Sequence, residues 1–206
     1  TRNGAPLAAA AMIKMSPALL LWPMALWRHW RFVGMSVVVA VGLSLLALPI
    51  LGLGQQLDFY LTVLPQFSSG DYSGLTVPVN LIANHSLPEL FAQAFPPVGD
   101  EPISSQARTA AAATNGALFL LLSFVAWRRR ESQAIVGAFV VLMVLVPIYT
   151  FEHHLVFLLL PSAIVLRESR GRERWYLALV YSTLFFLFWP LTWWWKAQVE
   201  LAELQW

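Results

Sequence analysis

The sequence predicts an all-α, polytopic integral membrane protein with about six transmembrane helices and one long extracytoplasmic loop. Three observations carry this reading. The 206 residues are 58% hydrophobic and only 12% charged, against about 25% charged residues in soluble chains. The basic residues gather in three clusters between apolar runs: Arg28-His29-Trp30-Arg31, Arg128-Arg129-Arg130 and the four arginines of 167–174. Most of the ten tryptophans flank those runs, at Trp27, Trp30, Trp127, Trp175, Trp193, Trp194 and Trp195, as in the aromatic belts at headgroup depth.

A spanning helix needs about 20 mostly apolar residues. Pro6 to Trp27 supplies the first, interrupted by Lys14 and Pro17, and Phe32 to Leu53 the second and cleanest. Thr109 to Trp127 is the third, opening on an alanine run. Ser132 to about Thr150 is the fourth, Phe151 to Leu166 a short fifth, and Trp175 to about Trp195 the sixth. The positive-inside bias places all three arginine clusters in the cytoplasm. The first helix then runs inward to Arg28, and each later one reverses direction without misplacing a cluster.

The loop at about 54–108 is therefore extracytoplasmic. It carries Asp58, Asp71, Glu89, Asp100 and Glu101, with turn signals at Ser68-Ser69-Gly70-Asp71 and Pro96-Pro97. Its aromatic residues argue against a disordered tail. Leu87 to Phe95 places Leu87, Leu90, Phe91 and Phe95 at helical spacing, which predicts a short amphipathic helix lying on the membrane surface. Nine of the thirteen Lys and Arg sit in the three clusters, so the net charge of +2 reflects topology and implies no nucleic-acid partner. The absence of cysteine excludes disulfides, thiol nucleophiles and thiolate metal sites. The chain opens on Thr1 with no Met or signal-peptide charge pattern. Residues 1–206 are thus expected to form a single transmembrane domain, the C-terminal part of a longer polypeptide.

Three groups of residues are candidates for chemistry. Glu152-His153-His154 sits at the mouth of two apolar helices, where ionisable residues are costly unless they meet a water-filled cavity or a polar ligand. Histidine donates hydrogen bonds or binds phosphate when protonated, and glutamate orients an imidazole or acts as a base. The bland alternative is a polar cap between helices. Adjacent histidines diverge by about 100° on a helix, so zinc-type ligation is a weaker reading and no metal site is assigned.

Asn80 and Asn84-His85-Ser86 form the second group. Asparagine amides both donate to and accept from sugar hydroxyls, while Ser86 with Glu89 three residues later also reads as a capping box. Lys14 is the third. It lies fourteen residues before Arg28, about 21 Å of helix, and serves either as a snorkelling anchor or as the partner of an anionic phosphate. Asp58 and Asp71 are weaker candidates for a base, because isolated loop aspartates are usually solvated.

Phe59-Tyr60-Leu61-Thr62-Val63-Leu64-Pro65, followed by Asn84-His85-Ser86-Leu87, resembles the "VLP … NQSL" loop of the polyprenyl-phosphate-mannose-dependent α-mannosyltransferases (glycosyltransferase family 87, DUF2029-like, GT-C fold). Ile13-Lys14-Met15-Ser16-Pro17 resembles that family's "IK-x-x-P" segment. Glu152-His153-His154-Leu155-Val156 with Pro161 resembles its "EHH … P" segment. The three occur in the family's order and cover nearly the whole chain.

The resemblance implies transfer of a sugar, expected to be mannose, from a polyprenyl-phosphate donor to an envelope glycolipid or polysaccharide acceptor. The reaction is expected at the extracytoplasmic face of a bacterial plasma membrane. Lys14, Glu152, His153 and His154 would then face the donor phosphate or substrate, and Asn84 and His85 the sugar or acceptor. His85 stands where the family usually has Gln. The catalytic base is expected upstream of residue 1, and no residue here is assigned that role. Many such enzymes use a divalent cation, for which these residues offer no clear ligand set. Rival readings are a membrane transporter or flippase and a non-catalytic membrane subunit. The paired broken helices of transporters are not evident.

Overall fold

The computed structural model describes residues 3–66, 71–72, 75–76, 79, 84–99, 101–129, 131–168 and 171. The sixth expected span, Asn80 and Arg130 lie outside them. Backbone alone is described for 71–72, 75–76, Glu152, His153, Leu155 and Glu168. The elements are α1 (Ala5–Ile13), a 3₁₀ turn (Ser16–Leu20) leading into α2 (Leu21–Leu26), and α3 (Trp30–Leu51). Next come α4 (Leu53–Asp58), a π-helical stretch (Phe59–Val63) and α5 (Leu64–Gln66). They are followed by β1 (Asp71–Tyr72), β2 (Leu75–Thr76), α6 (Leu87–Ala94), α7 (Ser105–Arg128) and α8 (Gln133–Leu145). A 3₁₀ turn (Glu152–Leu158) then leads into α9 (Leu159–Glu168). The two strands form a minimal antiparallel ladder, Asp71 opposite Thr76 and Tyr72 opposite Leu75.

Among the described residues, α3 and α7 are long and apolar enough to cross a membrane. α3 is a nearly unbroken aliphatic run that leaves Val38, Leu46 and Ile50 exposed, as a lipid-facing helix requires. It ends at Gly52, whose φ of 75° is a conformation that glycine adopts without steric cost. α7 starts at Ser104, whose Oγ accepts from Ala107 N at 3.2 Å, capping one of the helix's orphan donors.

The first apolar stretch is not the single crossing that its length suggests. Ser36 Oγ donates to the Gly4 carbonyl at 2.9 Å and to the Phe32 carbonyl at 3.0 Å, so the start of α1 sits within the first two turns of α3. Trp27, at the other end of the stretch, is three residues before α3 begins. A continuous helix would separate Gly4 from Trp27 by about 35 Å. Instead the stretch folds back on itself at Lys14, whose extended backbone (φ −147°, ψ 121°) ends α1. Pro17, in the following 3₁₀ turn, lacks the N–H that a continuing helix would use. Residues 5–27 are therefore a helical hairpin with Lys14 at its bend.

Close approach at Gly4 makes this hairpin sensitive to one methyl group. A Cβ added there would lie 2.3 Å from the Phe32 carbonyl oxygen and 2.2 Å from Ser36 Oγ. Gly4→Ala is expected to push α1 off α3, costing about 1–3 kcal/mol as overpacking does. Thermal denaturation in detergent reads this loss. An unchanged midpoint would place α1 elsewhere.

The hairpin's second arm packs on α7 and α8. Trp27 Nε1 donates to Ala126 O at 2.9 Å and Trp22 Nε1 to Ser123 Oγ at 2.8 Å. Trp27 joins Ala126, Ile135, Phe139 and Leu142 in one apolar core, while Leu19 and Leu20 reach Val140, Met143 and Val144. α9 returns along α8. Gly137 faces Pro161, where an added Cβ would lie 3.3 Å from both Cα and Cβ of the proline.

These contacts bring the described parts of the three arginine clusters to one end. Trp27 meets Ala126, His29 Nε2 lies 3.6 Å from Glu131 Oε1, and α9 passes Gly137 on its way to Arg167. The opposite end holds α6, the 146–151 turn and the Lys14 bend.

Helix α6 forms where the sequence places it, and part of its apolar face is covered by protein. Ala92, with Phe91 against it, packs on Val79, Ile103, Ala107, Ile148 and Tyr149, while Leu90 and Phe95 stay exposed, so this helix roofs the top of α7 with one side and leaves part of its apolar face open.

Candidate functional site

At the end away from the arginines, two distant segments are joined by one side chain. Asn84 is buried. Its Nδ2 donates to Val79 O at 2.9 Å and to Ile148 O at 2.8 Å. Its Oδ1 accepts from Ser86 N at 3.2 Å and from Thr150 N at 2.8 Å. An amide has two donors and two acceptor lone pairs, and all four are engaged with backbone. Beside it, His85 N donates to Thr150 O at 2.7 Å and Ser86 Oγ to Ile148 O at 2.9 Å.

The chain folds this way locally because Ser86 begins α6. Its Oγ also accepts from Glu89 N at 3.2 Å, and Pro88 sits in the first turn, where its missing N–H costs nothing. The 146–151 turn carries no regular backbone ladder, so its carbonyls and amides need partners, and Asn84, His85 and Ser86 supply them. Thr150 is itself buried and its Oγ1 donates to Val144 O. Nothing in the sequence pairs 84–86 with 148–150, which are more than sixty residues apart. The role of Thr150 and of the Ile148 carbonyl is new with the structure.

Two residues beyond Thr150 the chain enters the Glu152-His153-His154 turn. Its start is locked reciprocally: His154 N donates to Phe151 O at 2.8 Å, and Phe151 N donates to His154 Nδ1 at 3.1 Å. Nδ1 therefore acts as an acceptor, which assigns the imidazole proton of the neutral ring to Nε2. Phe151 stacks on Tyr149, with centroids 6.1 Å apart and planes within 8°. Tyr149 in turn belongs to the core beneath α6, so the imidazole is referenced to that core through a rigid chain of rings.

The structure thus brings Asn84, His85 and the backbone of the Glu152–His154 turn to one place. Lys14 lies at the same end. The second hairpin arm climbs from Trp27 beside Ala126 to Leu19 and Leu20 beside Val140, Met143, Val144 and Leu158, and Lys14 continues that rise. Asp58 is exposed at the end of α4. Glu89, expected only as a capping residue, is a buried carboxylate that accepts from Gln93 Nε2 in the first turn of α6, where the helix dipole favours its charge. Among the described residues no group of three His, Asp or Glu is placed to hold a metal ion.

The described helices pin a polar loop against a His-bearing turn at the end opposite the arginines. The family model for glycosyltransferase family 87 matches residues 1–161, which include the hairpin, the Asn84 clamp and the His154 turn. The chain belongs to glycosyltransferase family 87 and is a membrane glycosyltransferase. No curated protein and no solved structure matches it.

Proposed function

We propose that the chain transfers a sugar, mannose by its motif resemblance, from a polyprenyl-phosphate donor to a glycolipid or polysaccharide acceptor of the cell envelope. The Asn84 clamp carries this reading: it holds His85 and the Glu152–His154 turn together at one end of the helices. That end is the extracytoplasmic one if the arginine clusters are cytoplasmic, as the positive-inside bias has it.

In the reaction the bond between the anomeric carbon and the phosphate oxygen breaks. A bond from that carbon to an acceptor hydroxyl oxygen forms, the hydroxyl proton goes to a base, and the polyprenyl phosphate leaves with its electron pair. The Nε2–H of His154 and the ammonium of Lys14 supply positive potential for that leaving phosphate. His85 is held against the sugar or acceptor by its backbone bond to Thr150. Asn84, with its amide engaged, positions His85 instead of touching the sugar itself. Glu152 and His153 remain donor-facing candidates, and the base lies outside the residues assigned here.

Donor preference tests this. Membranes containing the protein should pass radiolabel from polyprenyl-phosphate mannose into endogenous lipid or polysaccharide, and should fail with nucleotide-linked mannose once lipid-linked donor synthesis is blocked. Direct transfer from the nucleotide sugar would overturn the proposed donor.

A further inference from the structure

The segment that follows α3 is helical through 53–66, although its glycines and turn-forming residues read as the start of a loop. Gly52, at a φ of 75°, reverses the chain. Gln56 Nε2 then donates to Ser44 O at 2.7 Å, and the Tyr60 hydroxyl lies 3.1 Å from Ser44 Oγ. Ser44 precedes the end of α3 by seven residues, about 10 Å along the axis. The returning helix is thus tied to α3 below its apolar end.

Its residues separate by face. Leu53, Leu57 and Leu61 recur every four residues along one side, with Gln55, Asp58 and Thr62 away from it, while Phe59 and Val63 lie off the leucine side in the π-helical turn. Three leucines of that side are exposed, Leu53 by 63%, Leu57 by 48% and Leu61 by 73%. Two-faced helices of this kind bury their apolar side at the boundary between headgroups and acyl chains. Covalent continuity with a membrane helix and the two side-chain ties to Ser44 fix this one at that depth.

We propose that 53–66 is an interfacial helix seated on the bilayer leaflet opposite the arginine clusters, with Ser44, Gln56 and Tyr60 as the latch that sets its depth. It forms a platform at the level where a lipid-phosphate donor would carry its sugar. That consequence rests on the function proposed above; the seating on lipid does not.

The chain has no cysteine, so single cysteines for spin labels need no background removal. Labels at Leu57→Cys and Leu61→Cys, and at Asp58→Cys and Thr62→Cys, would be compared in the full-length protein in liposomes of phosphatidylethanolamine and phosphatidylglycerol. Collision with oxygen and with a water-soluble nickel chelate is measured at each site. The ratio of oxygen to nickel accessibility is expected to be several-fold higher at 57 and 61 than at 58 and 62. Adding Ser44→Ala with Tyr60→Phe should shrink that contrast. Equal ratios on both faces would make the segment an aqueous loop. Protection from both reagents at 57 and 61 would mean that protein, from this chain or a second copy, covers the face. Either result overturns the proposal.

Discussion

Asn84→Asp is expected to lower both stability and sugar transfer, although it changes one atom. The carboxylate keeps an oxygen for Ser86 N and Thr150 N but turns its second oxygen toward the carbonyls of Val79 and Ile148, which lie 2.9 and 2.8 Å from Nδ2 in the native residue. Two donated bonds become two acceptor–acceptor contacts in a buried place. Each unsatisfied buried group costs about 1–3 kcal/mol, and His85 loses its fixed position relative to the His154 turn. A fall of several degrees in the thermal midpoint, with at least a tenfold loss of transfer, is the expected result. If Asn84 instead served mainly to accept from a sugar hydroxyl, the midpoint would hold and only the KM for donor or acceptor would rise.

The second large effect falls on His154, and two substitutions separate its structural bond from its chemistry. Asparagine can present Oδ1 near the position of the imidazole Nδ1, so His154→Asn should keep the acceptor that receives Phe151 N at 3.1 Å. It has nothing at the place of Nε2. His154→Asn is therefore expected to insert and melt like the native protein while losing about 100-fold or more in kcat, the scale of one removed transition-state donor. His154→Ala removes both functions and should also lower the melting point, by about 1 kcal/mol or more for the orphaned Phe151 N–H. Normal turnover by the asparagine variant would confine His154 to capping its turn.

Some of this was legible in the sequence because it is local. Ser86, Pro88 and Glu89 mark the start of α6 within four residues, and α6 begins there. The aliphatic run of α3 reads as a membrane helix, and α3 forms as one unbroken helix long and apolar enough to cross a membrane. The first apolar stretch misleads because hydropathy sums residues over a window and is blind to direction. Two arms of about ten residues that fold back score like one crossing, and only Lys14 and Pro17 hint at the bend. Gly52 and Gly54 signal a loop, and that signal masks the amphipathic spacing of Leu53, Leu57, Leu61 and Leu64.

The candidate site was legible as two motifs but not as a junction. Asn84 and Thr150 are sixty-six residues apart, and neither motif states that it exists to satisfy the other's backbone. The side chain read as a sugar contact proved to be the one with all its hydrogen bonds already made. For α6 the apolar spacing is real, but spacing alone cannot say that Phe91 would meet the core of Ile103 and Ala107 while Leu90 and Phe95 stay exposed.

The central claim, that this end of the molecule transfers sugar and does not merely carry a lipid past the membrane, is tested most directly with a doubly labelled donor. Polyprenyl phosphate mannose carrying ³²P in the phosphate and ³H in the sugar would be supplied to proteoliposomes holding the full-length protein and a membrane extract as acceptor. Transfer separates the labels: ³H enters glycolipid or polysaccharide while ³²P stays with polyprenyl phosphate, and His154→Asn suppresses the separation. Labels that remain together and move from one leaflet to the other would make the protein a lipid-linked sugar flippase and contradict the account.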